Sequence, residues 1–456
     1  MIQTILNNQK AFFLKGETKS LAYRKEKLLQ LKAELIKNEQ LIIDALYADF
    51  KKPKFESVLA ETEIVLSELN LTLKKLKSWS KPKRVFPSLL NFPSTDKIYY
   101  EPYGNILVIA PWNYPFQLAI LPVIGAIAAG NTVVLKPSEL TPNTSKIVET
   151  ILKTVFKEEY VAVVQGDAKV SQELLAQQWD YIFFTGSVAV GKIVAKAAAQ
   201  FLTPTTLELG GKSPCIIDET AHLKLAAKRI VWGKFLNAGQ TCIAPDYILI
   251  HHAVKEKFIS SLEKEIEAAY SKNPEKSEDY ARIINVKNFT RLANMLNNET
   301  IAIGGETNEN ELFISPTIID EPSLDSAVMQ DEIFGPILPI LSYNNEDDIN
   351  HIISNYNKPL SLYVFSTNHD FSQKMITNYS FGGGVINDTV IHIANPRLPF
   401  GGVGNSGIGA YHGKHSFYTF SHKKSVVKKG NWLDIPIRYA PYNGKMKLIK
   451  FFFKYF

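Results

Sequence analysis

The sequence contains two cysteines, and one of them lies where a nucleophile would be useful. Cys242 stands within residues 237–246, where turn-forming residues follow an amphipathic helical pattern. A thiol on such an exposed loop, with backbone N–H groups nearby, favours the thiolate and can attack an electrophilic carbon. Loop cysteines are more often inert, so both interpretations stay open. Cys215 lies in an apolar run, which predicts a core position.

A carboxylate and a carboxamide follow two other apolar runs. Glu208 lies near the end of residues 205–209 and precedes two glycines. Strand ends face the ligand crevice of a parallel sheet, and burial there would raise the pKa of a carboxyl toward that of a general base. A surface carboxylate paired with Lys or Arg is the alternative. Asn113, between Trp112 and Tyr114, can donate to an oxyanion or can stabilise a turn.

A glycine-rich turn at residues 186–193 follows an apolar run and opens a helical pattern. Its glycine and lysine spacing is that of a Walker A loop, but Ile193 stands where the Mg²⁺-binding hydroxyl belongs, which disfavours an NTPase. Gly186 and Ser187 at a helix N-terminus can still hold a phosphate or pyrophosphate, or can form a simple helix cap. Residues 110–114 lack Gly-x-Gly-x-x-Gly, so any dinucleotide is bound in another way.

The elements that position these residues are strands and helices in alternation. From residue 101 onward, β-branched or aromatic runs with little polar alternation are separated by helical patterns. This predicts an α/β fold with parallel sheets in two lobes. Leucines at helical spacing predict two amphipathic helices before them, over residues 20–50 and 57–79. The expected strands are residues 106–110, 132–135, 161–164, 181–184 and 205–209, then a second series near Cys215 and at 247–250, 338–342, 362–365 and 384–386.

The composition is that of a globular chain with room for two or three domains of about 150 residues each. Two cysteines and nine histidines indicate neither a disulfide framework nor a structural zinc site, so no metal is expected. With no secretory signal, the cytoplasm is the expected compartment. Pro122 and small residues interrupt the apolar residues 118–135, which predicts a buried helix and a central strand rather than a membrane span.

The net charge of +6 is concentrated in the last part of the chain. Residues 421–456 contain eight lysines and one arginine against a single aspartate, a local charge of +8, which leaves −2 on residues 1–420. The tail suits an anionic membrane surface but is too short to span a bilayer; packing across a dimer is an equal alternative. Its basic and apolar residues are Lys445, Lys447, Lys450 and Lys454 with Leu448, Ile449, Phe451, Phe452, Phe453 and Phe456.

Seven short motifs occur in one order over about 300 residues, and together they resemble the aldehyde dehydrogenase superfamily. The residues around Cys242 and residues 411–415 most resemble its class 3 branch, which includes the fatty aldehyde dehydrogenases. That family lacks Gly-x-Gly-x-x-Gly. The motifs are Pro111-Trp-Asn-Tyr-Pro-Phe116, Lys136-Pro-Ser-Glu139, Phe184-Thr-Gly-Ser187, Leu207-Glu-Leu-Gly-Gly-Lys-Ser-Pro214, Gly239-Gln-Thr-Cys242, Glu332-Ile-Phe-Gly-Pro336 and Pro399-Phe-Gly-Gly402.

The resemblance implies a covalent oxidation of an aldehyde to a carboxylic acid. Cys242 would attack the aldehyde carbon, and the Asn113 amide with the Cys242 N–H would hold the oxyanion. Hydride transfer to a nicotinamide would leave a thioester, and Glu208 would activate the water that hydrolyses it.

By the same resemblance, the cofactor is a nicotinamide dinucleotide. A carboxylate at Glu139 that accepts from the ribose 2′-OH would repel a 2′-phosphate, which favours NAD, with NADP as the alternative. His412 resembles a class 3 histidine near Glu332; a surface histidine in a turn is an equal alternative. The implied cofactor-binding residues are Trp112, Lys136, Glu139, Gly186, Ser187, Glu332 and Phe334.

The implied fold is that of an aldehyde dehydrogenase, with two Rossmann-like lobes and a bridging β-hairpin for oligomerisation. Residues 1–80 and 100–207 would form the NAD-binding domain, and residues 208–412 the catalytic domain. The bridging element would be residues 81–99 and 413–430, ahead of the basic tail 431–456. A homodimer with no nucleic-acid partner is expected.

Side chains that flank the motifs are mostly apolar, which predicts a hydrophobic tunnel for a medium- or long-chain aliphatic aldehyde, with aromatic and polyene aldehydes still open. Some of these residues could simply be core. The competing functions are a P-loop-like nucleotide-binding protein and a catalytically idle structural relative; the presence of Cys242, Glu208 and Asn113 argues against the second. The predicted substrate-lining residues are Tyr114, Leu236, Thr241, Ile391 and Phe400.

Overall fold

The computed structural model describes residues 2–88 and 91–455, through which helices and strands alternate. The strands are β1 (Lys83–Val85), β2 (Ser94–Pro102), β3 (Asn105–Ile109), β4 (Thr132–Lys136), β5 (Val161–Val163), β6 (Tyr181–Thr185), β7 (Thr205–Glu208), β8 (Pro214–Ile217), β9 (Tyr247–His251), β10 (Ile301–Ile303), β11 (Thr307–Asn308), β12 (Phe313–Ile314), β13 (Thr317–Asp320), β14 (Ile337–Tyr343), β15 (Ser361–Phe365), β16 (Gly383–Ile386), β17 (Gly407–Ile408) and β18 (Ser421–Lys429). The helices are α1 (Ile2–Lys15), α2 (Leu21–Lys37), α3 (Glu39–Phe50), α4 (Lys54–Ser57), α5 (Glu63–Trp79), α6 (Gln117–Ala129), α7 (Pro142–Val155), α8 (Ala168–Leu175), α9 (Val188–Ala199), α10 (Leu223–Phe235), α11 (Lys255–Tyr270), α12 (Val286–Asn294), α13 (Ala327–Gln330), α14 (Glu346–Ile353), α15 (His369–Asn378), α16 (Lys414–Thr419) and α17 (Met446–Tyr455).

The N-terminal helices differ from the prediction in two places. The expected helix over residues 20–50 is broken at Asn38, because its side-chain amide donates to the Glu34 carbonyl at 2.7 Å and ends α2 there. The helix expected over residues 57–79 is present, but its first turn is a π-helix, Val58–Thr62. This turn lies against α6, which packs on the first sheet.

The first sheet contains the five strands expected between residues 101 and 209, in the order β17-β7-β6-β3-β4-β5. Neighbouring strands are parallel except β17, which pairs antiparallel with β7 and places Gly407 opposite Glu208. α6 is buried along its whole length and leads into β4, which confirms the prediction for residues 118–135. The carboxyl ends of β3, β6 and β7 therefore lie side by side at one edge.

The second sheet has the order β10-β13-β14-β9-β8-β15-β16, and it is parallel apart from β10. Cys215 is fully buried within β8, which confirms its predicted core position. The edge strand β10 and its neighbour β13 were not predicted. The two parallel sheets confirm the α/β fold, while the domain boundaries, residues 1–80 with 100–207 and residues 208–412, stay a prediction.

A third sheet of order β1-β2-β18 joins distant parts of the chain. β18 pairs antiparallel with β2 along nine residues and is exposed over most of its length. Within the predicted bridging element, residues 413–430, α16 extends to Thr419 and buries Phe417 in the core, and β18 follows it. Residues 89–90 of this element lie outside the described residues.

The C-terminal tail ends in α17, whose apolar side chains are largely exposed. Leu448, Phe451 and Tyr455 form one stripe at helical spacing, and Lys447, Lys450 and Lys454 form a neighbouring stripe. Phe456 lies outside the described residues. Among the helices described, α17 included, none combines the length and apolarity needed to cross a bilayer.

Candidate active site

A cavity of about 680 Å³ lies at the carboxyl ends of β3, β6 and β7 and extends to loops of the second sheet. Asn113 follows β3, Glu208 ends β7, and Cys242 comes from the loop between α10 and β9. All three side chains line this one cavity. The structure therefore brings together the three residues that the sequence analysis selected for catalysis.

Glu208 is almost completely buried at the end of β7. Both side-chain oxygens lack a hydrogen-bond partner among the described residues. Its backbone is fixed on both sides: the Gly186 N–H donates to the Glu208 carbonyl at 3.0 Å, and β17 pairs with β7 on the other side. Burial raises the pKa of Glu208 well above its ordinary value. The carboxyl group therefore has unused hydrogen-bonding capacity at the wall of the cavity.

Asn113 is hydrogen-bonded to the loop that carries Cys242, residues 236–246, which we call the nucleophile loop. The bond comes from the side-chain amide of Asn237, a residue that sequence analysis did not single out. The Asn237 side-chain amide donates to the Asn113 carbonyl at 2.9 Å and to the Gln240 carbonyl at 3.2 Å. The Asn113 side-chain amide donates to the same Gln240 carbonyl at 3.2 Å. Asn237 and Ala238 both have positive φ, 56° and 51°, so the turn is tight and locally strained. The only sequence signal was an asparagine, a residue that tolerates this conformation, directly after a helix.

Gly239 completes this turn and cannot carry a side chain. Its φ is 74°, and a Cβ there would lie 2.2 Å from the Gly335 carbonyl oxygen. The turn thus packs against the chain that follows Glu332, and two cavity-lining segments are held in contact.

Cys242 is half-buried rather than exposed. Burial, and then the negative charges of Glu332 and Glu208, raise the pKa of its thiol, while the backbone N–H groups of Cys242 and Ile243 oppose this. The expectation of an exposed loop that favours the thiolate is therefore wrong for this structure. The N–H groups are present as expected, but burial of the thiol, together with two carboxylates from other segments, outweighs their effect on its pKa.

This environment predicts a pH dependence for thiol alkylation. Because the pKa is raised and iodoacetamide reacts with the thiolate, the Cys242 alkylation rate should increase about tenfold per pH unit above neutrality, without a plateau near the ordinary thiol pKa. Glu332→Gln should speed alkylation at alkaline pH, because it removes a negative charge. The rate would be followed by mass spectrometry with Cys242→Ala as the blank; a plateau near neutral pH would contradict the raised pKa.

Glu332 is half-buried in the wall of the cavity, beside a cluster of buried charges. Its carboxylate covers Gly210, where a Cβ would lie 2.2 Å from Oε2. Burial and then Asp246 raise the pKa of Glu332 to about 8, although the Gly211 N–H, Lys212 and Lys234 lower it. The Lys212 ammonium donates to Asp246 at 2.8 Å and to the Val328 carbonyl at 2.8 Å.

Lys234 is the least expected member of this cluster. Its side chain is fully buried, and its ammonium has no hydrogen-bond partner in the described part of the chain. Burial lowers its pKa to about 8. Lysines in a helical pattern suggest a solvated face, so sequence analysis had no signal for this residue.

The predicted cofactor residues fall into two groups. Five of them, Trp112, Gly186, Ser187, Glu332 and Phe334, line the cavity. The Trp112 and Phe334 rings meet edge to face at 5.3 Å, and Ser187 caps α9 by accepting from the Val190 N–H at 3.4 Å. Apolar rings, a carboxylate and the N–H groups of a helix start suit a nicotinamide, a ribose and a pyrophosphate. The residues present therefore fit a dinucleotide.

The second group lies at the end of β4. Lys136 is buried and forms an ion pair with the half-exposed Glu139. Neither residue is among the described residues that line the cavity. Lys136 is the last residue of β4, and β4 is the neighbour of β3 in the first sheet. This pair of residues therefore lies beside the cavity.

The five predicted substrate-lining residues do not line this cavity, as far as the described residues show. Tyr114 and Thr241 are buried and share a hydroxyl hydrogen bond of 2.7 Å, while Leu236 is also buried. Phe400 is buried in the core cluster on which Cys242 packs, and Ile391 is exposed. Of the five, Leu236 and Thr241 belong to the segment that carries Cys242, and Tyr114 is bonded to it.

His412 is not the surface histidine of the simple turn interpretation. It is buried and stacks on the Phe400 ring at 5.2 Å, and its Nε2 lacks a partner among the described residues. Burial lowers its pKa to about 4, so the imidazole is neutral at physiological pH. His392 lies on the same ring at 5.9 Å.

Comparisons with known proteins agree on one family. The profile of the Aldehyde dehydrogenase family matches residues 2–426. The 4,4'-diaponeurosporen-aldehyde dehydrogenase of Staphylococcus aureus is 49% identical over 456 residues, 100% of this chain and 99% of that protein. The mouse protein named aldehyde dehydrogenase, dimeric NADP-preferring, is 42% identical over 447 residues, 98% of this chain and 99% of that protein. The solved substrate-bound state of Staphylococcus aureus AldH is 48% identical and covers 99% of each chain with a TM-score of 0.98.

Proposed function

This chain belongs to the aldehyde dehydrogenase family and oxidises an aldehyde with NAD or NADP, and we propose that Cys242, Glu208 and Asn113 carry out that reaction. The observation that most directly supports these roles is that three side chains from separate segments line one cavity. A P-loop protein is not favoured, since Ile193 replaces the metal-binding hydroxyl and faces away from the core. A catalytically idle relative would have no need for the three side chains together.

In the proposed reaction the Cys242 thiol loses its proton to solvent, and the thiolate attacks the aldehyde carbon and forms a thiohemiacetal oxyanion. The Asn113 side-chain amide gives up its hydrogen bond to the Gln240 carbonyl and donates to the new oxyanion instead. The Cys242 backbone N–H donates to the same oxyanion. Donors of this kind each lower a barrier by ~3 kcal/mol. The chemistry that NAD or NADP supplies when bound is acceptance of a hydride. Glu208 then takes a proton from the water that attacks the Cys242 thioester and releases the acid.

The cofactor roles follow from the two groups of residues. Gly186 and Ser187 at the start of α9 hold the pyrophosphate, and Trp112, Glu332 and Phe334 hold the nicotinamide and its ribose. Lys136 and Glu139 hold the adenosine ribose, where the Glu139 carboxylate favours NAD. The Lys136 ammonium offsets that charge, and a relative is named NADP-preferring, so NADP is also a cofactor.

The substrate we propose is a hydrophobic aldehyde of medium or long chain, aliphatic, aromatic or polyene. Four of the five predicted substrate-lining side chains are buried, and Leu236 and Phe400 among them are apolar. One relative is named for 4,4'-diaponeurosporen-aldehyde, which makes that aldehyde a specific candidate.

A chain-length series tests this substrate class. For straight-chain aldehydes, kcat/KM should rise with each added methylene, because each buried CH₂ contributes about 0.8 kcal/mol, and then level off where the tunnel ends. The measurement is NADH formation from each aldehyde under identical conditions. A flat profile from short to long chains would remove the tunnel from the proposal.

We further propose a cytoplasmic homodimer that touches membranes through its tail. β18 is an exposed edge strand with Val426 and Val427 outward, which suits pairing with a neighbouring subunit, and one relative is named dimeric. In α17 the lysine stripe lies beside the apolar stripe, which suits an anionic lipid surface.

Removal of residues 444–456 tests the membrane contact. The full chain should sediment with vesicles of phosphatidylglycerol and phosphatidylcholine and should not sediment with phosphatidylcholine alone. The truncated chain should stay in solution in both cases, with unchanged turnover of a short, water-soluble aldehyde. The double variant Lys447→Glu with Lys450→Glu keeps the length of the tail and reverses two of its charges, so it tests the contribution of charge and should stay in solution as well. Equal sedimentation of full and truncated chains would rule out the anchor.

A further inference from the structure

The connection between α3 and α5 buries three charged side chains. Lys52 and Glu61 have no exposed surface, and Glu56 is 7% exposed. Burial of charges costs several kcal/mol per ion unless each is well paired, and hydrophobic residues of similar size would pack as well. These three residues lie outside the set that the catalytic steps use, so their retention in the core requires another explanation.

Lys52 connects this segment to the aromatic residue beside Asn113. Its ammonium donates to Glu61 Oε1 at 2.7 Å and lies 3.9 Å from the centre of the Tyr114 ring. A desolvated ammonium at this distance over an aromatic face is attracted by the ring. The Tyr114 hydroxyl in turn bonds to Thr241, the residue before Cys242, at 2.7 Å. A single cation therefore fixes a ring that touches both catalytic loops.

Glu61 holds the backbone on the other side of Asn113. Its second oxygen, Oε2, accepts from the N–H groups of Phe116 and Gln117 at 3.1 and 2.8 Å, at the start of α6. The carboxylate thereby caps this helix in place of a local side chain, because no side chain of the preceding residue does so.

Glu56 holds the nucleophile loop in the same way. Its carboxylate accepts from the Asn237 N–H at 2.9 Å, and Asn237 donates to the carbonyls of Asn113 and Gln240. The π-helical turn Val58–Thr62 begins two residues after Glu56 and contains Glu61. Such turns are rare in proteins overall, but many of those known lie at functional sites, where one extra residue redirects the side chains.

We propose that Lys52, Glu56 and Glu61 form a positioning clamp that fixes the Asn113 amide relative to Cys242. This inference rests on the proposed oxyanion role of Asn113. The clamp acts from the N-terminal helices, and it holds the loop after β3 through Tyr114 and Glu61 and the loop before β9 through Glu56. Lys52 is its central residue, since it neutralises Glu61 and supports Tyr114 at once.

Lys52→Met tests the clamp, because Met keeps the apolar stem and removes the charge. We expect kcat for aldehyde oxidation to fall by about thirtyfold, since small displacements of catalytic groups have effects of this order. NADH affinity and the rate of Cys242 alkylation should stay close to those of the unaltered enzyme, because neither needs an oxyanion donor. Lys54→Met, at an exposed lysine of the same segment, is the matched control and should leave all three unchanged.

Two further variants keep the result decisive if Lys52→Met folds poorly. Glu61→Gln retains an acceptor oxygen but loses the ion pair, and should lower kcat by about tenfold. In Lys52→Met with Glu61→Gln the loss of the ammonium no longer leaves a Glu61 carboxylate without its cation, so the combined loss should be smaller than the product of the single losses.

The outcomes separate the clamp from the oxyanion role itself. If Asn113→Ala loses activity while folded Lys52→Met and Glu61→Gln keep theirs, the clamp is overturned and the oxyanion role stands. Parallel losses of kcat, NADH affinity and alkylation in Lys52→Met would indicate general damage and also overturn it. If Asn113→Ala is fully active, the oxyanion role fails, and with it the clamp.

Discussion

Cys242→Ala should abolish aldehyde-dependent NADH formation, with a loss of about four orders of magnitude or more. Without the sulfur no thiohemiacetal forms, and neither the Asn113 amide nor Glu208 has an intermediate to act on. The cavity walls that suit the cofactor are separate from the thiol, so NADH binding, measured by its fluorescence, should be retained. Substantial turnover in the variant would exclude the covalent route.

The second cysteine provides the control for this result. Cys215 lies in the interior of β8 with no exposed surface. Cys215→Ala should keep its activity and lose only a little thermal stability, because a buried sulfur is replaced by a smaller side chain. If both variants were inactive, loss of folding rather than loss of the nucleophile would account for the result.

Glu208→Gln should slow steady-state turnover by about a hundredfold to a thousandfold and change its time course. Hydride transfer precedes the step that needs the base, so the variant should form one equivalent of NADH per site in a burst and then almost stop. Rapid mixing of enzyme, NAD and aldehyde measures the burst. Glu173→Gln on the exposed face of α8 is the matched control.

The raised pKa of Glu208 adds a pH signature to this prediction. A carboxyl whose pKa is raised is protonated, and inactive as a base, below that pKa, and it gains basic form as the pH rises through it. Turnover of the unaltered enzyme should thus increase with pH, and the slow turnover of Glu208→Gln should lack that contribution. A variant with no burst and an unchanged pH profile would assign the base to another residue.

The sequence predicted the interior strands well because their signal is local. β3, β4 and β6 are runs of β-branched and aromatic residues, and all their residues are buried. The strands that were missed, β10 and β13, are only three and four residues long, so their apolar runs are shorter than those of the interior strands. The break at Asn38 depends on one side-chain hydrogen bond that periodicity does not contain.

In the site, motif order identified the three catalytic candidates, whereas their electrostatic surroundings were not predictable. The thiol pKa depends on Glu332, which is 90 residues away in the chain and adjacent in space. Lys52, Glu56 and Glu61 are charged residues in a helical region, a pattern that normally indicates a solvated surface. Only their partners, Tyr114, Asn237 and the start of α6, show why they are buried.

The pairing of β17 with β7 bears on how the protein matures on the ribosome. Glu208 is translated near the middle of the chain, yet the strand that covers its flank, residues 407–408, is made almost 200 residues later. β18 closes against β2 later still, and contacts of such long sequence separation form slowly. A chain released before residue 407 is made therefore has the thiol and the carboxyl but lacks the strand that pairs beside Glu208, and we expect it to be inactive toward aldehydes.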